Sequence, residues 1–227
     1  MNVVEGLLMA PILFDLDIKL IRCVGAERLW LSDNPVLKLN TFFARTRHGV
    51  HLGFASVGLQ LIVPISPTMA FMFHDPSIYR TGPIGQRLVE VGDADVRELN
   101  KAQYMVGNEN LYMHSEAMLA AALALHATHN SKRSPMRGLV DMPGREQEGQ
   151  AADLLHLRRD RFPFSPTLSF CSVRRRIDRN LAPGPRDAGW TQVVRDFPAA
   201  LEKGEAGTDS FVEFAENHPI MQARRRR

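Results

Sequence analysis

The hydrophobic and polar positions of this chain change period along its length. IKLIRCV (18–24) alternates Ile18, Leu20 and an outward Arg22, VGAE makes a turn, and RLWLS follows. Period-two alternation around a glycine-containing break predicts a β-hairpin. SDNP (32–35) interrupts the chain, and VLKLN (36–40) resumes as a strand. Residues 41–58 hold glycines and mixed polar residues and read as a long excursion with little regular structure.

LQLIVPI (59–65) and MAFMFHD (69–75) flank Ser66-Pro67-Thr68 and predict a buried hairpin. Pro64 inside the first run implies an edge position or a bulge. Residues 76–87, rich in Pro and Gly, read as a loop. The period then lengthens. VRELNKAQYMV predicts a helix capped by Asp93 or Asp95, with Val96, Leu99, Gln103, Met105 and Val106 on its apolar face and Gly107-Asn108 ending it. Residues 114–129, rich in Ala, Leu and Met with no internal Gly or Pro, predict the strongest helix, with Ser115 as a possible cap. A short helix over 3–9, stopped by Pro11, precedes all of this.

Beyond Asn130 the periodicity fades. The stretch is polar and rich in helix breakers, with arginine clusters at 158–161, 174–179 and 224–227 and short helices possible at 147–158, 191–203 and 208–217. The expected organisation is a core domain over 1–130 and a weakly ordered extension over 131–227. The fold class is α+β: a small, mainly antiparallel sheet from about 17–40 and 59–75, with helices at about 93–106 and 114–129 on one face and a loose Arg-rich C-terminal appendage.

Part of the chain resembles a known family. Ser32-Asp33-Asn34-Pro35 after a strand, then Pro64, Ser66 and Pro67, then the Leu99-Asn100 pair in a helix, are similar to a bacterial family known only as a domain of unknown function. The resemblance covers about residues 1–128. Members usually begin with a further region, a His-x-x-Pro segment before a Tyr-Leu pair and several helices. Its absence implies a shortened member, with 131–227 outside the family domain. The resemblance implies no particular chemistry.

Charge and composition narrow the picture. The net charge is +3, but residues 1–130 carry 10 Lys/Arg against 12 Asp/Glu and residues 131–227 carry 18 against 13. The basic surplus lies in the C-terminal part, where weak, non-specific nucleic-acid binding is conceivable. Little aromatic interleaving argues against base stacking there. Cys23 and Cys171 are the only cysteines and have no metal spacing. The start lacks the basic residues of a secretory signal, and no apolar run spans a membrane, so a cytoplasmic protein is expected, with no membrane partner.

The candidate site is SDNP. Ser32 and Asp33 suit a turn through bonds to nearby main-chain N–H groups, and Pro35 suits the start of a strand. Alternatively, Asp33 and Asn34 face a cleft, where a carboxylate beside an amide can bind a ligand or act as a base. Asn100, a poor helix former in mid-helix, either locks the helix to SDNP or lines a pocket. His126 and His129, at i and i+3, lack the further ligands of a zinc site, as do His48, His51 and His114, so no metal or cofactor is expected. Ser66 lacks the glycines of a nucleophile elbow, and GPIG (82–85) is no phosphate loop.

The leading reading is a domain that binds a small molecule or protein partner in a pocket near SDNP, with Ser32, Asp33, Asn34 and Asn100 as its candidate residues. A hydrolase or nuclease-like effector using Asp33 and Asn34 is the alternative, and whether the protein is an enzyme stays open. The discriminating observation is whether Asp33 is satisfied by main chain or converges with other titratable groups.

Overall fold

The computed structural model describes residues 10–45, 51–132, 138–142, 154–158, 164–178, 180–207 and 211–225. The expected helix at 3–9 lies outside them; Pro11 sits within a 3₁₀ turn, Ala10–Leu13.

The architecture is α+β. A five-stranded sheet is built from β1 (Asp17–Cys23), β3 (Leu37–Leu39), β4 (Gln60–Ser66), β5 (Met69–His74) and β7 (Leu88–Val91) in the order β3-β4-β5-β1-β7. All neighbours are antiparallel except β1 and β7. The β4–β5 hairpin forms as expected, and its register shifts between Pro64 and Ser66. Pro64 therefore marks a bulge inside an interior strand.

The first expected hairpin does not form. β1 is flanked by β5 and β7, so no edge of it is left for RLWLS. Alternation identifies a strand, but it does not identify the neighbour. The buried side of β1 is Lys19, Ile21 and Cys23, whereas Ile18 is exposed. Instead, β2 (Leu31–Ser32) pairs with β8 (Leu111–Tyr112), just after the first long helix. The expected loop at 76–87 contains β6 (Tyr79–Thr81), which pairs with β11 (Cys171–Val173). Residues 154–158, expected in a helix, form β10 against β9 (Gly138–Met142).

Helix α1 (Asp93–Val106) lays Val96, Leu99, Ala102 and Val106 against Ile21, Leu37, Ile62, Met72 and Val89 of the sheet. Neither aspartate caps it: Gly92 is the N-cap residue. Asp93 Oδ1 accepts the Glu27 amide at 2.8 Å, and Asp95 accepts both the amide and the hydroxyl of Ser169 at 2.7 Å. Helix α2 (Leu119–His129) starts later than expected, after a 3₁₀ turn at Glu116–Met118, and Ser115 makes no side-chain cap bond. It lies against α1, and Ala122 is its one buried residue.

Described parts of the C-terminal segment pack on the same core. Leu168 joins the cluster under α1. Helix α3 (Ala188–Glu202) is capped by Asp187, which accepts the Trp190 amide at 2.8 Å, and it buries Val193, Val194 and Phe197. Phe197 meets Phe211 of α4 (Phe211–Asn217) edge-on, and α5 (Pro219–Arg225) follows. Arg186 is one of the ties between this segment and the N-terminal part. Its guanidinium bonds both Asp15 oxygens, at 3.1 and 2.6 Å, and the carbonyls of Ile12, Phe54 and Ser56. Its side chain is 4% exposed.

Removing one partner of a buried, fully bonded ion pair leaves the other charge and several carbonyls unsatisfied. Arg186→Ala should therefore cost about 3 kcal/mol, read as a lower urea midpoint with little change in slope.

Candidate functional site

Residues 28–32 run extended alongside α1 into the SDNP turn, and only Leu31 and Ser32 have a strand neighbour. The remaining main-chain groups must be satisfied in other ways. Two amide side chains one turn apart on α1 supply much of this. Asn100 Oδ1 accepts the Trp30 amide at 2.9 Å, and its Nδ2 donates to the Arg28 carbonyl at 2.8 Å. Gln103 Nε2 donates to the Pro35 carbonyl at 2.8 Å, while its Oε1 faces the Ser32 hydroxyl at 2.9 Å. Asn100 thus ties the helix to Arg28 and Trp30, in the segment leading into SDNP, and not to the SDNP turn itself. Gln103, expected on the apolar face, is a second lock that sequence reasoning missed.

SDNP itself is a closed turn. Ser32 Oγ lies 2.9 Å from the Asn34 carbonyl, and the Asn34 amide donates back to Oγ at 3.2 Å. Asp33 is exposed, yet its carboxylate gathers three consecutive main-chain donors beyond the end of α1: Asn108 at 2.7 Å, Glu109 at 2.8 Å and Asn110 at 3.3 Å. The Asp33 amide donates to the Asn110 carbonyl at 3.2 Å. These donors, Glu109 first, hold the Asp33 carboxyl below its ordinary range. Gly107 lets the two segments approach, since a Cβ there would stand 2.9 Å from Ser32 Cβ. Ser32 and Gln103 thus meet side chain to side chain, Asp33 and Asn100 bind main-chain groups to either side of them, and Asn34 is half-buried.

A cleft of about 600 Å³ opens between α1 and α2, next to this segment. Trp30 and Asn100 contribute to its wall, as do Ala94 from α1 and Ala121, Ala124 and Leu125 from α2. Trp30 is 2% exposed, and its indole Nε1 has no hydrogen-bond acceptor among the described residues. Arg97 pairs with Glu27 at 3.1 Å at the same cleft.

Other candidates fall elsewhere. The Tyr104 hydroxyl is 3.2 Å from His126 Nδ1, and His129 lines the cleft. No group of three or more metal-ligating side chains occurs among the described residues. His74 lies buried in the sheet, 3.5 Å from Asp17, and its burial pushes its pKa down. Cys171 accepts from Gln60 and Thr81, and burial pushes its thiol up, away from a reactive thiolate. Of the arginine clusters, Arg174 bonds the Pro76 carbonyl and Arg224 pairs with Asp187, whereas His48 and residues 159–161 lie outside the described residues.

Two measurements follow from these bonds. Asn100→Ala leaves a buried amide and a carbonyl without partners and should cost about 2–4 kcal/mol in equilibrium unfolding. Asp33→Ala should lower the melting temperature at neutral pH. Because the folded carboxyl titrates below its unfolded value, that contribution is present above about pH 4 and is lost as pH falls through the folded value. The wild type and Asp33→Ala should therefore converge in melting temperature in acid.

No helix among the described residues is long and apolar enough to cross a membrane. No curated protein and no solved structure matches the chain. A family model described as "Protein of unknown function (DUF4238)" matches residues 7–117, a span that holds SDNP, the β4–β5 hairpin and α1. Over residues 7–117, just under half of its length, the chain is therefore similar to an uncharacterised family, DUF4238.

Proposed function

We propose that this domain binds a small molecule in the cleft between α1 and α2, beside the SDNP segment. The observation that carries this reading is the cleft itself, about 600 Å³, with alanines from both helices and the buried Trp30 in its lining. That volume lies within the roughly 300–1,000 Å³ typical of small-molecule sites, and a largely apolar lining is their usual character. In this reading Ser32, Asp33 and Asn34 hold the wall in place, and Asn100 both locks and lines it. The bonds of Asp33 to three main-chain amides favour such a supporting role over that of a general base. Two free cysteines, one buried, fit a reducing setting such as the cytoplasm.

Ala124 lines the cleft and is exposed, so a larger side chain there fills the space without straining the core. The dye 1-anilinonaphthalene-8-sulfonate should fluoresce strongly with the wild type. With Ala124→Leu the signal should fall several-fold while the melting temperature stays within a few degrees. Equal dye response from both proteins would contradict binding in this cleft.

A further inference from the structure

The main sheet is apolar on both faces, and α1 covers one of them. Ile21, Ile62, Met72 and Val89 pack towards the helix. The residues that alternate with them point away, and on a sheet with one covered face such positions are usually polar. Here they are not. Ile18 stands beside Phe73, and Leu20 lies between Phe71 and Leu88. Val63 extends the second row beyond Phe71, and the rings of Phe71 and Phe73 are 6.5 Å apart. Among the described residues, cover reaches one corner, where Leu13 and Leu16 cluster with Leu61 and Phe73. Ile18 stays 47% exposed, Phe71 39% and Leu88 37%. A contiguous apolar surface of this kind marks an interaction site.

Charge and shape indicate what fits there. On β4, β5, β1 and β7 the charged side chains of this face are Arg22 and Glu90, and they pair with one another. On β3, beyond Leu61, Lys38 is turned over the Phe54 ring, 4.1 Å from its centroid. A partner of strong net charge finds little counter-charge on such a surface. A second copy of the same face matches it. Apolar rows meet apolar rows, sheet packs on sheet about 10 Å apart, and a charge pair of both signs is complementary to itself across a two-fold axis. Four strands about 4.8 Å apart and about 20 Å long give a footprint on the order of 400 Å² per copy. The total, roughly 800 Å², has the size of a weak, reversible contact. We propose that the open face of the sheet is a homodimer interface, in which a second copy covers Leu20, Phe71 and Leu88. The dimer dissociates in the micromolar range, and it is independent of the cleft between α1 and α2.

Sedimentation of the full chain from about 5 µM to about 500 µM should show the average mass rising from one chain towards two. Phe71→Lys and Leu88→Lys replace exposed side chains, so both should keep the wild-type melting temperature within a few degrees and stay monomeric over the same range. The photoreactive residue p-benzoyl-L-phenylalanine in place of Phe71 identifies what lies on the face. Irradiation of the purified protein should join two copies, with the acceptor in the peptides that hold Ile18, Leu20 or Leu88. A wild type that stays monomeric throughout, or lysine variants that associate as it does, would overturn the proposal. A photo-cross-link confined to one chain, to residues 1–9 or elsewhere, would also overturn it, as would no cross-link at all.

Discussion

The candidate region depends on one constraint: the main-chain polar groups of residues 28–35 must be bonded without a sheet neighbour along most of their length. An extended segment packed beside a helix has no ladder to draw on, and an unpaired buried amide is costly. The solution is amide side chains. Asn100 matches one main-chain donor and one main-chain acceptor, and Gln103, one turn later, takes the Pro35 carbonyl and the Ser32 hydroxyl. Each amide offers both functions on a short planar group, which no apolar or singly charged residue at these positions could do. Asn100 therefore stands in mid-helix despite its modest propensity.

The second half of the constraint lies at the C-terminal end of α1. After Gly107 the chain turns, and three successive N–H groups converge on Asp33. β2 and β8 then pair briefly. Helix, turn and extended segment are closed into a loop of mutual bonds, and this closure fixes where Trp30 stands. The cleft between α1 and α2 inherits its shape from that placement. Its other wall is an alanine-rich helix that buries only Ala122, which is unusual for a helix whose first turns, residues 119–125, are wholly apolar.

Much of this was legible in the sequence, and the failures have physical reasons. The β4–β5 hairpin announced itself through two apolar runs around a Pro-containing turn, and Pro64 through its missing donor. The asparagine in the middle of an otherwise good helix pointed to a lock. Gln103 was hidden because it falls at helical spacing among apolar residues. The signal that would have exposed it is its i+3 relation to Asn100, which puts both amides on one face. The short strands β6, β7 and β8 could not be found by periodicity, since two to four residues carry little alternation. Their partners were harder still, because Tyr79–Thr81 meets Cys171–Val173 across a long stretch of sequence. The ties of Asp95 to Ser169 and of Arg186 to Asp15 are likewise invisible to local patterns.

The central claim is that the amide clamp on residues 28–35 is as firm as the sheet core, and native-state hydrogen exchange tests it most directly. The Trp30 amide, bonded to a side chain and not to a strand, is the informative probe. If the claim holds, it exchanges only through global unfolding, as slowly as the amide of Met72 in β5. Exchange of the Trp30 amide at loop-like rates, while Met72 stays protected, would contradict it.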